Sequence, residues 1–149
     1  NWRMMPIQAV IGNCALDKLD LWVSHRRKIA KIYNDNLKDI PGIRLTIPPQ
    51  NIYHSYYKYY FFINKSNFKI SRDEIILLIN NEGIFCQVGS CSEVYNEKCL
   101  LNYSPKNNLH ITKELFNTAI LLKCDPCITE KYATESISKI KTILLKNMN

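Results

Sequence analysis

Hydrophobic positions recur at helical spacing over residues 5–38. Ala15, Leu19, Trp22, Val23, Ile29, Ala30, Tyr33 and Leu37 fall on one face, which predicts a single long amphipathic helix. Pro6 suits its first turn, where a missing N–H does no harm. The opposite face carries Asp17, Lys18, Asp20, Arg27, Lys28 and Lys31. Ala9, Gly12 and Ala15 form a strip of small residues three apart, along which another element can approach closely. A helix with both features is expected to lie between two bodies.

Pro41-Gly42 ends that helix. Ile43 to Ile47 read as a short strand before Pro48-Pro49. Residues 52–63, IYHSYYKYYFFI, are aromatic and β-branched, and predict a strand buried on both faces toward its end. Ser71-Arg-Asp-Glu74 is a capping box that opens a helix through Ile75, Ile76, Leu78 and Ile79, closed near Gly83. IFCQV follows as a strand, and a short helix is expected over 93–100. Thr112 is expected to cap a helix through Leu115, Phe116 and Ala119, before a strand-like ILLKC. Thr129 caps a last helix with Ala133, Ile137, Ile140, Leu144 and Met148 on one face. The order predicts an α/β or α+β sandwich, a small sheet covered by helices. Residues 1–149 form one domain, divided into a linking helix at 1–40 and a sheet-and-helix body at 41–149.

Composition changes this picture little. The chain has 149 residues, 46% of them hydrophobic, enough for one real core. No run approaches the ~18 apolar residues of a membrane helix, and no basic-then-apolar leader is present, so a cytoplasmic setting and no membrane partner are expected. The net charge of +7 suits an anionic ligand, or reflects a Lys-rich compositional bias. Cysteines stand at 14, 86, 91, 99, 124 and 127. Cys124-Asp-Pro-Cys127 has CxxC spacing, and Cys91, Cys99 and His110 would complete a zinc set on paper. No second CxxC accompanies it, so free thiols and no metal are expected.

No self-contained catalytic motif is present. The chain has only 4 Gly and no phosphate-binding loop. His25, His54 and His110 lie in different segments. His25, beside Arg26 and Arg27, is expected in solvent. His54 is a structural or site-facing histidine. Tyr56-Tyr57-Lys58-Tyr59-Tyr60 invites a nucleic-acid reading by base stacking, but a strand sends alternate residues to opposite faces. A free-standing basic module for an anionic ligand or nucleic acid is therefore the alternative reading, with no nucleic-acid partner expected under the first.

The opening stretch, NWRMMPIQAVIGNCALDKLDLWVSHRRKIAKIYNDNL, resembles the N-x-R-M-x-x-x-Q-A-A-I-G segment and following helix of the DegT/StrS-type sugar aminotransferases. HSYYKYYFFI resembles that family's H-x-[WY]-[HY]-x-[FY] strand, and GSCSEVYNEKCL its G-S-C-[PS]-E-[IV]-Y-x-E-K variant. The likeness runs through nearly the whole chain. Val10 and Ala15 depart from the family's usual Ala and Gln, and His110 and Asp125 from its closing Pro and His.

That resemblance implies the small C-terminal domain of the aspartate aminotransferase fold. It implies a parent enzyme that uses pyridoxal phosphate to move an amino group, usually from glutamate, onto a keto sugar linked to a nucleotide. Synthesis of lipopolysaccharide or another surface polysaccharide is the implied setting, and a homodimer the implied assembly. Asn1 would reach the cofactor phosphate of a second subunit. Arg3, His54, Tyr56 and Tyr57 would line the substrate site. No catalytic residue is expected in this chain, because the resemblance puts the Schiff-base lysine in a large N-terminal domain outside it. The chain is expected to start near that domain boundary and to be inactive alone.

Overall fold

A computed structural model describes residues 3–90, 93–103 and 109–149. The helices are α1 (Pro6–Leu16), α2 (Leu19–Leu37), α3 (Arg72–Asn81), α4 (His110–Thr118) and α5 (Glu130–Lys146). The strands are β1 (Ile43–Leu45), β2 (Tyr59–Ile63), β3 (Cys86–Gln87) and β4 (Ala119–Leu122). They form one sheet of order β1-β2-β4-β3, and every pair is antiparallel. Ile43 faces Ile63, Phe61 faces Ile120, and Leu122 lies between Tyr59 and Cys86.

The core lies on one face of this sheet. Tyr59, Phe61, Ile63, Ile120 and Leu122 point into it by the two-residue period of a strand. Ile29, Ala30, Tyr33 and Leu37 of α2 cover them, with Ile75 and Ile79 of α3. Ala133, Ile137, Ile140 and Leu144 of α5 complete the layer, and α2 packs chiefly on α5. Burying each of the isoleucine and leucine side chains contributes about 1.5–3 kcal/mol. The other face is covered less. Tyr60 and Phe62 are half-buried there, against α4.

The helix termini of the body follow their side chains. Ser71 Oγ accepts from the Glu74 amide, and Glu74 Oε2 from the Ser71 amide at 2.8 Å. Thr129 Oγ1 accepts from the Tyr132 amide at 3.1 Å. Both caps are as the sequence predicts.

Four expectations need correction. The long helix is two helices. It breaks at Asp17-Lys18, where Lys18 takes φ −102° and ψ −6°. Neither residue is a helix breaker, but every residue from Leu16 to Leu21 is exposed, so no packing holds the two segments in line. The strand predicted over 52–63 is formed only at 59–63. Tyr56 has φ +46°, which no strand residue holds, and its amide is taken by His54 Nδ1 at 3.0 Å rather than by a ladder. Thr112 does not cap α4: the helix starts at His110, with Leu109 at its N-cap. The segment over 93–100 forms two tight 3-10 turns, Val94–Asn96 and Lys98–Tyr103, in place of an α-helix.

Candidate substrate cavity

The stretch before β2 is bent by its own bonds and held by α2. The Arg27 guanidinium donates to the His54 carbonyl at 3.0 Å and lies 4.2 Å from the centre of the Tyr53 ring. Arg26 lies 5.5 Å from the Tyr57 ring centre. Such cation–π contacts contribute roughly 0.5–2 kcal/mol each, more where water is excluded. The Arg26 Nε is buried with no hydrogen-bond partner among the described residues, and its guanidinium stands over an aromatic face in place of one. Adjacent arginines of one helix thus hold the two ends of the 53–57 segment.

That bend gives each tyrosine a different task. Tyr56 is buried, edge-on to His54 at 4.5 Å and stacked at 6.4 Å on Tyr59. Tyr57 is exposed. Tyr59 is in the core, where its hydroxyl donates to Asn34 Oδ1 at 2.7 Å, and burial raises its phenol well above the ordinary tyrosine range. His54 Nδ1 accepts from the Tyr56 amide, so in the neutral ring the proton sits on Nε2 and leaves that atom a donor.

A cavity of about 430 Å³ opens on this segment, lined by Thr46, His54, Ser55, Tyr56, Tyr57, Lys58, Tyr60 and Ser90. Its volume and its mix of aromatic walls with a few polar groups suit a small-molecule site. His54, Tyr56 and Tyr57 all line this cavity. Arg3 is exposed and does not line it, and Asn1 lies outside the described residues. Lys58 and Tyr60, noted in the sequence only as part of the Tyr56–Tyr60 run, line it too, together with Ser90, which sequence reasoning did not single out. The Gly-Ser of GSCSEVYNEKCL was the available signal, because Gly89 is one of only 4 glycines. A larger hollow of about 690 Å³ on the far side of Tyr56 is lined by Arg27, Lys28 and Lys31. Two of those cations are already engaged, Arg27 as above and Lys31 with Asp35 at 2.6 Å, and His54 and Tyr57 open on the smaller cavity instead.

His25 is not in free solvent: Nε2 donates to the Ile128 carbonyl at 2.6 Å and ties α2 to the turn before α5. Cys86 and Cys124 are buried, and Cys14, Cys99 and Cys127 exposed, all as free thiols. Among the described residues no group of three or more His, Cys, Asp or Glu gathers as metal ligands do. None of their helices is long and apolar enough to cross a membrane.

A Schiff-base lysine needs a desolvated amine in a closed pocket. Every described lysine is exposed except Lys141, which is half-buried on α5. The described residues of this chain therefore do not fit as the covalent anchor of pyridoxal phosphate, although they supply walls and donors for a ligand.

Three comparisons agree on the ancestry of this architecture. The model of the DegT/DnrJ/EryC1/StrS aminotransferase family matches residues 1–141. A dTDP-4-amino-4,6-dideoxy-D-glucose transaminase of Shigella dysenteriae is 33% identical over 88 residues, covering 58% of this chain and 23% of that protein. The solved structure of an aminotransferase from Psychrobacter cryohalolentis superposes with a TM-score of 0.88 at 31% identity, over 99% of this chain and 40% of its own. An Escherichia coli GDP-4-keto-6-deoxy-D-mannose-3-dehydratase with bound hydrated PLP shares the fold, with a TM-score of 0.73 at 23% identity, over 90% of this chain and 33% of its own. The chain thus spans between about a quarter and two fifths of the length of these relatives. By its match over residues 1–141, with sequence and fold in agreement, the chain belongs to the DegT/DnrJ/EryC1/StrS aminotransferase family.

Proposed function

We propose that this chain is the C-terminal part of a pyridoxal-phosphate-dependent aminotransferase. The whole enzyme would transfer an amino group from an amino acid, glutamate first, to a keto carbon of a nucleotide-linked sugar, on a route to a surface polysaccharide. The observation that carries this reading is the cavity at His54, Tyr57 and Lys58 in a chain of this family. The family's relatives include a nucleotide-sugar transaminase. The cofactor, held by the rest of the enzyme, supplies the electron sink for amino transfer.

This chain's task is to bind and orient. Tyr57 offers a face to a sugar ring, and the buried Tyr56 forms the wall beside it. The His54 Nε2–H is a donor for a ring hydroxyl or for the carbonyl to be aminated. Fixing a ketone in this way converts binding into orientation, a large part of catalysis in any two-substrate reaction. Asn1 and Arg3 would serve phosphates, the former across a subunit boundary in a homodimer.

The test is a chimaera in which residues 1–149 replace the matching 40% of the Psychrobacter aminotransferase. We expect glutamate-dependent amination of a nucleotide-linked keto sugar, read by mass spectrometry. His54→Ala and Tyr57→Ala should each raise KM about tenfold with a smaller fall in kcat, as loss of uniform binding does. A chimaera that folds, holds cofactor and consumes glutamate, yet aminates no member of a panel of nucleotide-linked keto sugars, would refute the proposal.

A further inference from the structure

The corner of the cavity at Ser90 has a hydrogen-bond pattern that selects the charge of its ligand. Lys58 Nζ donates to Ser90 Oγ at 2.9 Å. The Ser90 amide donates to the Tyr60 hydroxyl at 3.2 Å, and the two hydroxyl oxygens are 3.4 Å apart. Each oxygen therefore already accepts from a protein donor. A hydroxyl has one hydrogen, and an ammonium three and no lone pair. Two Lys58 N–H groups and at least one O–H remain to be used. Lys58 forms no ion pair with a described residue, and no Asp or Glu among the described residues lines the cavity. The unspent capacity is positive and mainly donating.

The corner is also built rather than accidental. Gly89 has φ +98°, and a Cβ there would lie 2.5 Å from Tyr60 Cε1. Only glycine lets the chain pass flat against the Tyr60 ring and set the Ser90 amide on its hydroxyl. Tyr60 is fixed in turn by its place in β2, opposite Leu121 of β4.

We infer that Lys58, Ser90 and Tyr60 form an oxyanion-binding corner of the substrate cavity, which takes a phosphate of the nucleotide-linked sugar or a carboxylate of the amino donor. The inference rests on the proposed function for the identity of the ligand, and on this geometry for the corner itself. Charge-assisted hydrogen bonds from an ammonium, with at least one hydroxyl beside it, suit a tetrahedral or planar oxyanion, and are about twice as strong as neutral ones.

The experiment titrates the 149-residue chain with inorganic pyrophosphate and, separately, with glutamate at low ionic strength, following amide resonances. Either anion should saturate shifts at Ser90 and Lys58. Pyrophosphate would assign the corner to the sugar nucleotide and glutamate to the amino donor. Lys58→Met should weaken binding about tenfold or more, and Ser90→Ala and Tyr60→Phe about three- to tenfold. Lys131→Met, exposed on α5, should change it less than about twofold. The inference is overturned if neither anion saturates, if Lys58→Met binds like the parent, or if Lys131→Met loses as much. Failure here with an active chimaera leaves the proposed function standing, and saturable binding with an inactive chimaera leaves only the corner.

Discussion

Replacing Arg72 with Met should destabilise the fold by about 2–4 kcal/mol. Arg72 is the one charged side chain among the buried described residues. Its Nη1 donates to the Phe116 carbonyl at 2.9 Å and the Ala119 carbonyl at 3.0 Å. Those oxygens belong to the end of α4 and the start of β4, so one guanidinium on α3 closes the junction that α4 leaves open. Hydrogen bonds to charged donors contribute about 1.5–3 kcal/mol each. Nη1 carries one hydrogen for each carbonyl, and neighbouring bonds of one group contribute less than their sum, nearer one and a half bonds than two. Nε also pairs with Asp73 at 2.6 Å, but the Asp73 side chain is 75% exposed, so this pair contributes at most about 1 kcal/mol. Met keeps the apolar length and removes every donor. At roughly 2–4 °C per kcal/mol for a domain of this size, the melting temperature should fall by about 5–15 °C. Urea titration followed by circular dichroism gives the value, with Asp73→Asn as the control at under about 1 kcal/mol. A loss below about 1 kcal/mol for Arg72→Met, or an equal loss for Asp73→Asn, would show that the carbonyl bonds do not hold the junction.

Other outcomes follow from the same contacts. Burial pushes the Cys86 and Cys124 thiols up from 9.0 to about 12, and raises the Tyr33 and Tyr59 phenols in the same direction. These groups bind protons more tightly when folded, so their stabilisation is complete below pH 9 and declines as pH rises toward 12; urea midpoints at several pH values check this, and a midpoint that climbs above pH 9 contradicts it. Iodoacetamide should label Cys14, Cys99 and Cys127 in the folded chain and reach Cys86 and Cys124 only after unfolding; mapping that finds native Cys86 modified would sink the assignment. Gly89→Ala should cost about 1–3 kcal/mol through its positive φ and the displaced Tyr60 ring, and should abolish the Ser90 amide contact as read by amide exchange; full protection at Ser90 would count against it. Borohydride reduction of the chain with pyridoxal phosphate should give scattered lysine labels, and a single stoichiometric modified lysine would show an anchor that the described residues do not display.

Much of the body was legible because its signals are local. The Ser71–Glu74 capping box and the Thr129 cap need only a few residues of context, and the face of α5 repeats often enough to be unmistakable. The 52–58 segment was misread because its composition is that of a strand, while its conformation is decided by a bond from Arg27, 27 residues away. The break between α1 and α2 has no residue-type signal, since it reflects missing support. The cavity was half legible for the same reason: His54, Tyr56 and Tyr57 lie in one short run. Ser90 joins Lys58 from 32 residues away, and only the antiparallel sheet, with β3 and β2 on either side of β4, brings the segment after β3 back to the start of β2.

Helix α1 buries none of its side chains, and Ile7, Val10, Ile11 and Leu16 are each more than 60% exposed. An 11-residue helix without tertiary support sits near the limit where nucleation outweighs propagation. Its order is therefore a free-energy term separable from the stability of the body, and a contact that covers it must also supply that order. Each 1.4 kcal/mol so used lowers the affinity of that contact tenfold. Helicity in α1 and occupancy of its apolar side are then two readings of one equilibrium, and a substitution that raises intrinsic helix propensity at an exposed position such as Asn13 tightens the contact without touching it.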